Sequence, residues 1–144
     1  MTALIAGRNT PAKAGDMQVG KLAAAVTVHA GAMLVRNAAG FIAPATTALN
    51  LTGVGRAEET VDNATGVAGD KAVSFMAGRF RYANSATTDE VTIADIGKAC
   101  FAVDDQTVAK TDGTGTRSKA GVVDDVDDLG VWVRFDEAIT RIAS

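Results

Sequence analysis

At 144 residues and 14.7 kDa the chain has the size of one domain with a hydrophobic core of its own. The formal net charge is only −3, with Lys and Arg scattered along the chain. That argues against a nucleic-acid partner, which needs a basic face, and the absence of any run of about 18 apolar residues argues against a membrane span.

The apolar share is 47% but the aromatic share only 5%, so alanine and valine must supply most of the core. Each buries little area and stabilises modestly, and a chain of this kind gains from burying surface against copies of itself. The single cysteine, Cys100, excludes an internal disulfide framework and most cysteine-ligated zinc sites.

Residues 1–17 lack periodicity and carry Gly7, Pro11 and Gly15. They read as an extended N-terminal arm that orders by lying on a neighbour. The apolar stretch is too short, and the charges are in the wrong order, for a secretory signal. Synthesis in a reducing cytoplasm is therefore expected.

From about residue 18 the pattern is that of strands. "VTVHAGAMLVR" (Val26–Arg36) is β-branched and apolar, broken by Ala30-Gly31. A turn over Asn37–Gly40 then leads into a strand through Phe41 and Ile42. Another strand is expected near 51–60, followed by the turn-rich Asp62–Lys71. "AVSFMAGRFRYA" alternates with Val73, Phe75 and Ala77 on one face, then slips at Gly78 before Phe80 and Tyr82, the signature of a bulge or bend.

A short helical turn fits Thr88–Ile96 before Gly97. Strand character resumes at "KACFAV", the Gly/Thr loop Thr111–Ser118 follows, and Ala120–Val126 and Val131–Phe135 read as a closing hairpin. Its turn is expected as a three-residue loop with a bulge, with Gly130 left-handed. Val131, Val133 and Phe135 should share one face and Trp132 and Arg134 the other. "DEAITRIAS" permits a final helical turn.

The expectation is an all-β, small single-domain sandwich or barrel-like fold, with an arm (1–17), a β-rich body (18–136) and a C-terminal tail (137–144). It has roughly seven to ten strands, turns about every eight to twelve residues, and at most one or two short helical turns.

The chemistry candidates are few. Asp124, Asp125, Asp127 and Asp128 crowd five positions, and with Asp125 as position 1 of a calcium loop, Asp127, Gly130 and Asp136 fall on spacing. The match breaks at Leu129 and at the alternating "VWVRF", where no helix follows, so a solvated turn is the simpler reading. Such repulsion costs about 1 kcal/mol per contact in water.

His29 and Cys100, with an acid such as Asp104, would be needed for a Cys–His hydrolase, yet alternation makes Cys100 equally a small core residue. "TDGTGTRSKAG", with Arg117 and Lys119, hints at phosphate but lacks the P-loop spacing and a following helix. Phe80, Tyr82, Trp132 and Phe135 are too few for a stacking platform. Nothing calls for a cofactor or a catalytic residue.

Three stretches carry a resemblance: "GVGRAEETVDNATG" (53–66), "GRFRYANS" (78–85) and, most specifically, 94–135 from "ADIGKACFAVDDQTVAKTDGTGTRSKAG" through "GVWVRF". Together, over roughly residues 15 to 135, the chain resembles the capsid cement, or head decoration, proteins of tailed bacteriophages and prophages. The resemblance implies a non-enzymatic β-rich protein on the outer surface of an expanded head. Its partners would be the major capsid protein and itself, as a homotrimer, with no nucleic acid and no membrane.

The residues then expected to touch capsid or a neighbouring subunit lie on the arm: Ile5, Arg8, Asn9, Thr10, Pro11 and Lys13. Two other readings stand beside this one. The chain could be a divalent-metal-binding β module using the four aspartates, or a tail or fibre component of the virion.

Overall fold

The structure, a computed structural model, describes residues 2–13 and 15–144. Twelve strands form among them: β1 (Met17–Lys21), β2 (Val26–Val28), β3 (Met33–Arg36), β4 (Ile42–Pro44), β5 (Thr52–Ala57), β6 (Val61–Asn63), β7 (Ala72–Met76), β8 (Gly78–Asn84), β9 (Ala99–Ala102), β10 (Thr107–Ala109), β11 (Lys119–Asp127) and β12 (Gly130–Phe135). One helix, α1 (Glu137–Ile142), and two 3-10 turns, Thr87–Asp89 and Ile93–Asp95, complete the described elements. The fold is all-β, as expected.

The strands exceed the roughly seven to ten expected because four of them, β2, β4, β6 and β10, have only three residues each. So short a run holds too little alternation to register as a strand.

Two bodies of sheet pack together. An antiparallel sheet runs in the order β1-β7-β5-β3-β4, and β10-β8-β12-β11-β9 close into a barrel. A ribbon of β2 and β6 supplies a third, small sheet. All barrel pairings are antiparallel except β8 with β10, where Thr107 faces Ala83 and Val108 faces Asn84.

A five-stranded barrel is narrow, so its interior takes small side chains. Ala102, Ala120, Cys100, Val108, Val123, Val131 and Val133 fill it, with Phe135 and Tyr82 as the large members. The alanine- and valine-rich, aromatic-poor composition therefore suits this barrel.

β3 joins the two cores. Met33 and Val35 are buried against the barrel, and Leu34, on the opposite face, joins Leu22, Val28, Ile42, Val54, Val73 and Phe75 in the second core. An unbroken apolar run is what a strand buried on both faces requires.

The sheet meets the barrel through Gly53 on β5: a Cβ there would lie 1.7 Å from the carbonyl oxygen of Ala120 on β11. Only a residue without a side chain allows this approach. The expected β3–β4 hairpin forms, its turn pinned by the Asn37 side-chain oxygen, which accepts from the N–H groups of Ala39 and Phe41 at 3.0 Å each.

The tail is a docked helix. Asp136 caps α1, accepting from Ile139 N–H at 3.0 Å. Glu137 pairs with Arg36 of β3 at 2.9 Å and with Arg141 at 3.0 Å, and the Lys119 ammonium donates to the Ala143 carbonyl. Burial alone would raise the Glu137 carboxyl, but the two guanidiniums outweigh it and hold its pKa below the usual value.

Candidate interaction surface

The four aspartates of the closing hairpin have separate roles. Asp127 is the organiser. Its Oδ1 accepts from the N–H groups of Leu129 at 2.8 Å and Gly130 at 3.1 Å, and its Oδ2 accepts from Trp132 Nε1 at 3.0 Å. The Arg81 guanidinium stands 3.5 Å away. The Trp132 and Leu129 bonds hold the Asp127 carboxyl below the ordinary aspartate range, with Arg81 and Gly130 adding to them.

Asp124 pairs with Arg79 at 3.0 Å, and Asp125 accepts from the N–H of Val126. Asp128 has no partner among the described residues. Asp136, the twelfth position of the would-be calcium loop, is spent as the helix cap. Among the described residues no group of three or more His, Cys, Asp or Glu side chains is arranged to hold a metal ion.

The hairpin itself differs in detail from expectation. Its loop has two residues, Asp128 and Leu129, since Asp127 pairs with Gly130. The bulge lies instead within β11, where the register shifts between Val123 and Asp125 and leaves Asp124 as the extra residue. Gly130 takes φ 155°, and a Cβ there would stand 2.3 Å from the Tyr82 carbonyl oxygen. Its positive φ and the close approach of β8 together demand this glycine. Val131, Val133 and Phe135 are buried on one face, with Trp132 half-buried and Arg134 exposed on the other, as expected.

Cys100 is fully buried, with its Sγ 3.7 Å from the Gly121 carbonyl, and burial pushes the thiol up to about 12. A nucleophilic cysteine needs the opposite, an accessible and electropositive setting. His29 is exposed in the segment after β2, and Asp104 accepts from Gln106 N–H in a loop.

In the 111–118 loop, Arg117 braces the loop, pairing with Asp89 at 3.3 Å and donating to the Thr111 carbonyl at 3.2 Å. The Thr111 hydroxyl, first, and Arg117 hold the Asp89 carboxyl below its usual value. Phe80 and Tyr82 pack on Phe135, with ring centroids 6.2 and 5.9 Å apart, so these aromatics are core. Burial likewise raises the Tyr82 phenol, which donates to the Gly31 carbonyl at 2.8 Å.

The arm residues Ile5, Arg8, Asn9, Thr10, Pro11 and Lys13 are all exposed, in a stretch without regular secondary structure. Leu4 is 73% and Ile5 100% exposed. Arg8 and Lys13 form no ion pair among the described residues. The arm runs into β1, an edge strand that pairs only with β7 and exposes Met17 and Val19.

A groove of about 640 Å³, which the sequence alone did not single out, lies between the Glu90–Ile93 segment and the tip of the closing hairpin. Its walls are fixed. The Asn84 side chain bonds both the N–H and the carbonyl of Val91 at 2.9 Å, Thr92 and Asp95 form a capping box, and Asp127 locks the hairpin tip. Ile93 and Leu129, each 74% exposed, stand on the two sides, and Glu90 and Asp128 add carboxylates without a partner among the described residues. The available signal was the pair of large aliphatic residues, each within three positions of two acids in a turn-like context.

No protein-family model, curated protein or solved structure matches this chain.

Proposed function

We propose that this chain is a non-enzymatic structural protein of a virus particle. It is a cement protein that binds the outer surface of an expanded phage head and bridges neighbouring major capsid subunits as a homotrimer. On this reading it is made in the host bacterial cytoplasm and works on the virion.

The observation that carries the reading is the arm: twelve described residues, 2–13, exposed throughout, with two large aliphatic side chains in water and, among the described residues, no hydrogen bond or ion pair to their own body. A segment of that kind gains stabilisation only when a neighbour covers it. Behind it stand a rigid all-β body, suited to bearing load, and the resemblance over 53–66, 78–85 and 94–135 to head decoration proteins.

The physics of the role follows from linkage. A protein that binds the expanded lattice and not its precursor stabilises the expanded state. Many weak contacts on one shell add through multivalency, and the entropic cost of ordering the arm keeps each contact weak and reversible.

Deleting residues 2–13 tests the reading. The body still folds, since the arm lends nothing to either core, and occupancy on expanded heads falls steeply. Occupancy equal to that of the full chain would overturn the role of the arm. Electron microscopy of decorated particles, with density on the tail instead of the head, would reassign the protein to a tail or fibre.

A further inference from the structure

Two exposed apolar features among the described residues are complementary, and in a single chain neither is covered. On the arm, Leu4 and Ile5 are followed by Arg8 and Lys13, with no acid between residues 2 and 13. Lining the groove are Ile93 and Leu129, with the carboxylates of Glu90 and Asp128. Two aliphatic side chains and two cations on the arm thus match two aliphatic side chains and two anions at the groove, the four charges having no ion-pair partner among the described residues. The chain's net charge of −3, with the arm's +2 removed, leaves −5 on the rest, so the long-range field also draws a basic arm toward the body.

We infer that residues 2–13 of one copy lie in the groove between Glu90–Ile93 and Asp127–Leu129 of a second copy of this chain. The arm's position in the single chain argues for a second copy. β1 begins at Met17 opposite Met76, next to the Gly78 end of β8, whereas the groove lies at the Asn84 end. Those ends are about 20 Å apart along the strand, and the chain's own arm, although long enough to cross that distance, lies off its own groove, with Ile5 fully exposed and none of residues 2–13 lining it.

The groove is preorganised by Asn84, the capping box at Thr92 and Asp95, and Asp127, so only the arm loses entropy on docking. An arm-into-groove contact is heterologous and closes into a ring when the rotation between copies permits, a trimer included. The inference goes beyond the head-binding reading and does not require it, since purified protein without any capsid tests it.

Sedimentation of the full chain, with matched charge reversals, is the experiment. Glu90 and Asp128 are exposed and form no side-chain hydrogen bond or ion pair among the described residues, so Glu90→Lys with Asp128→Lys leaves the fold intact, as does Arg8→Glu with Lys13→Glu. Wild type self-associates, more weakly at high salt. Either double reversal weakens association by about tenfold, and mixing the two reversed proteins restores it.

Ile5→Cys on one copy and Leu129→Cys on another, with Cys100 buried and inert, form a disulfide that yields a covalent dimer. A wild type that stays monomeric at millimolar concentration, association unaffected by the arm reversals, or a disulfide formed only within a chain carrying both cysteines would each overturn the inference. Head binding that survives any of these would leave the cement reading standing.

Discussion

Trp132 Nε1 donates to the Asp127 carboxylate at 3.0 Å while the same carboxylate accepts two backbone N–H groups of the turn it precedes. One aspartate thereby fixes the hairpin tip, orients a half-buried indole on which Arg81 stacks at 5.5 Å, and sets one wall of the groove.

The pH dependence of stability follows from this contact. Asp127 titrates below its unfolded value of about 3.9. Its contribution is therefore fully present above that pH and is lost as pH falls through the lower, folded value. Asp127→Asn should lower the melting temperature at neutral pH and flatten the acid limb of the stability curve. Asp128→Asn should leave the melting temperature at neutral pH unchanged, as should millimolar calcium added to the wild type. A calcium-dependent rise would revive a metal role for the acidic tip.

Gly53 is the most demanding position in the packing of sheet on barrel. A Cβ 1.7 Å from the Ala120 carbonyl oxygen cannot be relieved by a side-chain rotation, because both sides are backbone. Gly53→Ala should cost about 3 kcal/mol or more, seen as a melting temperature lower by about 10 °C. Gly115→Ala, at φ 81° with open space around it, should cost only about 1–2 kcal/mol. Equal effects in thermal melts would show that the sheet does not approach the barrel through Gly53.

Thr140 of α1 is fully buried, and its hydroxyl has no partner among the described residues. An unsatisfied buried hydroxyl costs about 1–3 kcal/mol, and valine has the same shape and similar helix propensity. Thr140→Val should accordingly stabilise by about 1 kcal/mol in denaturant titrations. A loss of that size would mean that the hydroxyl is bonded.

Local pattern carried the parts of the fold that alternation or turn chemistry specifies. The closing hairpin was legible because Val131, Val133 and Phe135 alternate with Trp132 and Arg134, and the β3–β4 turn because Asn37 and Gly40 bracket it. Barrel closure was not. It depends on one short parallel contact, Val108 opposite Asn84, between strands separated by more than twenty residues, and no local period encodes such a pairing.

The bulge at Asp124 left a trace, two successive acids between Val123 and Val126 that break the period of two, but the acids drew attention as ligands instead. Of the candidate surface, the arm was legible from its missing periodicity. The groove was not, because Ile93 and Leu129 lie 36 positions apart and only the fold brings them together.

The most direct test of the cement role compares binding of the full chain to expanded and unexpanded heads, followed by cosedimentation and by the temperature at which the heads release DNA. Saturable binding to expanded heads alone, with a higher release temperature, is the predicted result. Equal binding to both lattices, or no binding to the expanded one, would contradict the account.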